Sequence, residues 1–179
     1  MPRSLTMRAR TMLLAGMLLA DIASAAPDAA RQLEWDDLMP KDWNPFAQLD
    51  AMRDEAGKLE DGSAEADRLM KAFVTAGKSA PIVPDLDGQR VRLPGFVVPL
   101  EHDGTKVSSF LLVPYFGACI HVPPPPANQI VYVKTADGYP MKELFDPVWV
   151  TGTIRTQAHL NDVGDAGYTL TAEKVEAYQ

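Results

Sequence analysis

Cys119 and His121 are the two residues whose types and spacing promise chemistry. They stand two apart in PYFGACIHVPPPPANQ, residues 114–129. On an extended strand, residues two apart point to the same face. A thiolate beside an imidazole offers two good ligands to zinc or copper. The same neighbours could form a reactive pair instead, the imidazole lowering the thiol pKa. A third reading is structural, because a lone Cys among Gly, Ala and Ile packs as a small hydrophobe. Zinc takes three or four protein ligands, so two residues alone do not complete a site. His102 is the first candidate for a third ligand, and His159, Glu101, Asp103 and Asp146 are the others. Pro123, Pro124, Pro125 and Pro126 then stiffen the chain in an extended form without backbone donors. This run would hold the ligands and wall one side of a pocket, with Asn128 and Gln129 as polar groups at its far end.

No other pattern competes. The chain has no G-x-S-x-G, H-E-x-x-H, P-loop or C-x-x-C motif, and no catalytic residue is assigned. The acids at 34, 36, 37 and 42 read as a solvated arm. With 17 basic against 24 acidic residues the formal charge is −7, which repels phosphate backbones and argues against a nucleic-acid partner. The single Cys cannot close an internal disulfide.

The amino terminus reads as an export signal. Arg3, Arg8 and Arg10 precede the apolar run TMLLAGMLLA, and Ala23 and Ala25 frame a small-residue cleavage site. The run is shorter than the roughly 20 residues a membrane span needs. Cleavage after Ala25 is expected, which places the mature chain in the periplasm with no stable membrane insertion. The leader takes three Arg and one acid with it, so the remainder is more acidic still.

Four segments follow from the pattern: the leader 1–25, an extended arm 26–44, a helical hairpin 45–77 and a small β-barrel 80–178. In the arm, Trp35 and Trp43 are expected to pack on the main body; the sharper alternative is an arm that offers Trp to a partner. Phe46, Leu49, Met52, Ala56 and Leu59 recur at helical spacing. Ser63 caps a second helix whose buried side is Leu69, Met70, Phe73 and Val74, with Gly77 at its end. Beyond it come short strands at 90–100, 106–115, 129–134, 148–155 and around 168–172. Pro94-Gly95 suggests a bend, while His102–Thr105 and Asp137-Gly138 read as turns. Gly152 marks a place where backbones approach closely.

The chain resembles an uncharacterised family of exported bacterial proteins, a domain of unknown function. The likeness rests on LEWDDLMP, GFVVPLE, PVWVTGT and above all FLLVPYFGACIHVPPPPANQ at 110–129. It implies association with transporters of the ATP-binding-cassette class, or with another periplasmic protein, and with metal supply. The strand layout also resembles an OB-fold, a barrel usually tied to oligonucleotides or oligosaccharides.

The fold expected is therefore α+β, a helical hairpin followed by a small antiparallel OB-like barrel. The function expected is that of a non-enzymatic periplasmic accessory protein holding zinc or copper through Cys119 and His121. A thiol-dependent enzyme or redox protein using that pair, and an interaction module without metal, stand as the alternatives.

Overall fold

Five long strands close on themselves, alternating apolar with polar residues except where strand faces are buried on both sides. A computed structural model describes residues 29–43, 59–60, 62–104, 106–118 and 125–178. The strands are β2 (Arg90–Asp103), β3 (Lys106–Val113), β4 (Val131–Pro140), β5 (Pro147–Arg155) and β6 (Tyr168–Ala177). A two-residue β1 (Arg31–Gln32) lies beside β2, and one helix, α1 (Ala64–Lys78), precedes the barrel. Around the barrel the order is β2, β3, β4, β6, β5 and back to β2.

Strand β2 makes closure possible by pairing with two partners. Its first half runs beside β5 (Arg90↔Thr153 to Phe96↔Pro147), and its second half pairs with β3 (Phe96↔Val113 to Asp103↔Lys106). Pro94 and Gly95 lie where the partner changes. A Cβ on Gly95 would stand 2.7 Å from Leu112 Cγ and 2.9 Å from the Val113 carbonyl, so the bend demands glycine. Gly152 does the same for β5 and β6, at a register shift. A Cβ there would collide with the Thr171 carbonyl and stand 2.9 Å from Ala172 Cα.

The expected all-antiparallel barrel is corrected at one seam: β4 and β6 run parallel, from Val131↔Tyr168 to Thr135↔Ala172. Strand β5 intervenes in sequence, closes on β2, and leaves β6 to fill the gap in the direction of β4. Asp137-Gly138 is no hairpin turn either. The chain stays in β4, with Gly138 at φ 67°, and the extra residues form an irregularity opposite Val107 and Ser109.

The helical hairpin is not borne out. The described residues are mostly β, with α1 alone helical, and the first expected helix falls almost wholly outside them. Ser63 does cap α1, its hydroxyl accepting from Ala66 N–H at 3.2 Å. Gly77 lies inside the last turn, and Ser79 is the C-terminal cap. Met70, expected to be buried, is 51% exposed, and among the described residues α1 contributes to neither buried cluster. Among the described residues no helix is long and apolar enough to cross a membrane.

Two apolar clusters occupy the two faces of β3 and β4. Phe110, Leu112, Val131 and Val133 point into the barrel with Leu93, Val150, Ile154, Tyr168 and Leu170. Their neighbours Leu111, Val113, Ile130 and Tyr132 point outward and are buried as well, with Ala118, Phe145 and Ala166. Burial on both faces explains the unbroken apolar runs FLLV and IVYV.

Candidate functional site

The outer face of β3 and β4 is where this barrel topology commonly takes oligonucleotides or oligosaccharides. Here the chain itself covers it. From the β3–β4 connection come Phe116 and Ala118; from the β4–β5 turn, Phe145; from the β5–β6 loop, His159 and Ala166. The Phe116 ring lies 5.0 Å from Phe145 and 6.3 Å, edge-on, from Phe96. His159 stacks flat on Tyr132, 3.5 Å between centroids and 5° between planes, and exchanges two backbone hydrogen bonds of 2.9 Å with Ala166.

Cys119, His121, Pro123 and Pro124 lie outside the described residues. Their flanks are described. Ala118, immediately before Cys119, is fully buried in the outer cluster. Pro125 is buried and Pro126 half-buried. Pro125 lines a cavity of about 280 Å³ together with Val74 and Lys78 of α1 and residues 161–165. A 3.0 Å ion pair between Lys78 and Asp165 crosses from the helix to that loop.

Asn128 and Gln129 are anchors. Asn128 is wholly buried and donates from Nδ2 to the Pro81 carbonyl at 2.8 Å; its Oδ1 has no partner among the described residues. Gln129 donates from Nε2 to the Trp35 carbonyl at 2.9 Å, tying the connection to the arm.

The candidate third ligands separate clearly. His102 is exposed near the tip of the β2–β3 hairpin, beside Glu101 and Asp103. Glu101 there accepts from the Ser109 hydroxyl at 3.1 Å. Asp146 serves its own turn: Oδ2 accepts from Lys142 N–H at 2.7 Å and Oδ1 from Glu143 N–H at 3.2 Å. That turn holds Phe145 at φ 63°, a left-handed conformation that a bulky residue adopts only under constraint. Burial, and then the Asp146 carboxylate, push the Tyr139 hydroxyl above its ordinary pKa. Of the two described histidines His159 is the half-buried one, and it lies on the cluster that Ala118 enters. Among the described residues no three His, Cys, Asp or Glu side chains gather as a metal cluster.

Sequence reasoning passed over Phe116, which is 69% exposed despite its two ring contacts.

These features define a small, self-capped OB-like β-barrel with an N-terminal arm strapped across it. The chain belongs to the DUF3299 family, described as a protein of unknown function, whose sequence profile spans residues 35–177. It is similar to a DUF3299 family protein from Pseudomonas aeruginosa PAO1 known from a crystal structure. The two are 41% identical, over 85% of this chain and 98% of that one, with a TM-score of 0.65. A likeness to asparaginyl-tRNA synthetase from Pyrococcus horikoshii is too slight to carry an argument: 22% identity, 54% of this chain, 20% of that one, TM-score 0.35. No curated protein matches the chain.

Proposed function

We propose that the protein is a non-enzymatic periplasmic accessory module that binds a transition metal, zinc or copper(I), at the capped outer face of β3 and β4. Cys119 and His121 supply two ligands and His159, rather than His102, the third. One observation supports this reading above the others. His159 is held against Tyr132 and Ala166, and these belong to the same cluster as Ala118, the residue before Cys119. A thiolate and two imidazoles make a borderline-soft set suited to either metal. A transporter component or another periplasmic protein would be its partner in metal supply.

The test is titration of metal-free protein with zinc and with copper(I). Stoichiometric binding is expected, abolished by Cys119→Ser and by His121→Ala, weakened by His159→Ala and untouched by His102→Ala. Binding that ignores both Cys119→Ser and His121→Ala would overturn the proposal. Rapid alkylation of metal-free Cys119 below pH about 7.5 would favour thiol chemistry instead, because a free thiol has a pKa near 8.5.

A further inference from the structure

A second feature lies at the barrel's bend and does not depend on the metal reading. Between the arm and the seam of β2 with β5 runs an open groove of about 280 Å³. Trp35, Phe96 and Tyr178 line it together with Pro94, Pro114 and Pro147. Gly95 contributes no side chain to the floor, and the Leu112 contact described above keeps it bare. Tyr178 is 51% exposed yet firmly placed. Its ring stacks on Trp149 at 5.4 Å, and its N–H donates to the Pro147 carbonyl at 2.9 Å. At Phe96 the exposed ring of Phe116 continues the aromatic surface edge-on.

The lining limits what can dock. Through Pro94–Phe96, β2 is already paired with β5, so an added strand finds no open edge. The three prolines bring no N–H, and the Trp35 indole N–H is used on the Pro94 carbonyl at 2.8 Å. What remains is ring surface with few hydrogen-bond donors. A polyproline helix matches such a surface: it is pre-ordered, brings no N–H of its own, and packs its pyrrolidine rings on aromatic-lined grooves while its carbonyls stay in water.

Charge indicates the flank of that peptide. Among the described residues no charged side chain of either sign lines the groove itself, so the charge lies at its arm end. Around Trp35 stand the exposed acids Glu34, Asp36 and Asp37. Asp37 is engaged by Glu34 N–H at 2.9 Å and by Arg31 at 4.0 Å. Arg92 lies over the Trp149 ring at 4.1 Å, so the three acids outnumber the two arginines near them. The arm end of the groove therefore keeps an acidic excess. We infer that this groove docks an extended, proline-rich segment of a partner protein, with an Arg or Lys of that segment facing the acids beside Trp35.

Isotope-labelled protein titrated with a peptide of about ten prolines flanked by arginines tests this directly by amide and indole chemical shifts. Saturating shifts are expected at the Trp35 indole, Gly95, Phe96 and Tyr178. A glycine-serine peptide with the same arginines should produce none of them. Tyr178→Ala, at an exposed position, should keep the fold and weaken binding roughly tenfold or more. Asp36→Lys should remove the preference for arginine flanks over neutral ones. Absence of shifts at millimolar peptide, or an equal response to glycine-serine, would overturn the inference. So would groove shifts that grow with protein concentration alone, since those would assign the surface to a second copy of this chain.

Discussion

Two irregular segments lie against the same barrel, and they are held in different ways. The arm at 29–43 is fastened by buried polar groups. The Tyr168 hydroxyl donates to the Leu38 carbonyl at 2.8 Å and accepts from Val83 N–H at 2.7 Å. The Trp35 indole reaches Pro94, while Leu33 and Leu38 are fully buried. The near part of the β3–β4 connection, 114–118, is held by ring contacts and by burial of Ala118, and it leaves Phe116 facing water. A buried donor left unpaired costs more than a ring contact contributes. The arm is therefore scaffold. The connection keeps apolar surface that the fold does not require, next to the segment with Cys119 and His121.

The comparison breaks most visibly at Tyr168. Tyr168→Phe keeps the ring and removes the hydroxyl, leaving the Leu38 carbonyl and the Val83 N–H without it. A loss of about 2–4 kcal/mol is expected in denaturant unfolding. The same variant changes the alkaline limb of stability. Burial pushes the Tyr168 hydroxyl above its ordinary pKa, outweighing the opposite pull of the Val83 N–H. The folded state thus holds its proton where the unfolded chain, with a pKa near 10, releases it. Its contribution is complete below about pH 10 and is lost as pH rises toward the folded value. Tyr168→Phe should flatten that decline without abolishing it, because Tyr139 is shifted in the same direction. An unchanged alkaline limb would mean that the arm is not fastened there.

A smaller effect is expected from Trp35→Phe, which keeps an aromatic wall and deletes one hydrogen bond. About 1–1.5 kcal/mol should be lost, a downward shift of several degrees in Tm for a chain of this size. A loss as large as that of Tyr168→Phe would make Trp35 the main fastening of the arm.

Much of the barrel was legible because each strand's period and turns were local. The bend at Pro94-Gly95, the hairpin ending at Asp103↔Lys106 and the close approach at Gly152 all follow from residue types at their own positions. What escaped was set by partners distant in sequence. The parallel seam of β4 with β6 depends on where β5 goes. β1 exists only because β2 offers it a neighbour at Val91 and Arg92. Asp137-Gly138 imitates a hairpin turn, but its strand continues to Pro140 because Val107 and Lys106 still pair with it. Met70 followed helical spacing on a helix that, among the described residues, contributes nothing to either buried cluster. At the candidate site, the residue types of Asn128 and Gln129 were visible, yet their partners Pro81 and Trp35 were not. His159 was visible only as one candidate ligand among several; its stacking on Tyr132 joins positions that share no local pattern.

The smallest effect sharpens the contrast most. Phe116→Ser removes a ring that is 69% exposed. Full burial of a Phe is worth about 3 kcal/mol at most, and most of this ring is already in water. Its contacts with Phe96 and Phe145 are of the kind worth about 1 kcal/mol where rings are well enclosed, and less here. Stability should fall by about 1 kcal/mol or less in the same denaturant assay. If the ring instead holds the strained Phe145 turn in place, the loss will exceed that of Trp35→Phe, and the protection of the Phe145 and Asp146 amides against hydrogen exchange will collapse with it. Those amides donate to the Val97 carbonyl at 3.2 Å and to the Glu143 carbonyl at 3.3 Å, bonds independent of Phe116. Retained protection together with a small stability loss would leave Phe116 as surface held ready for a partner.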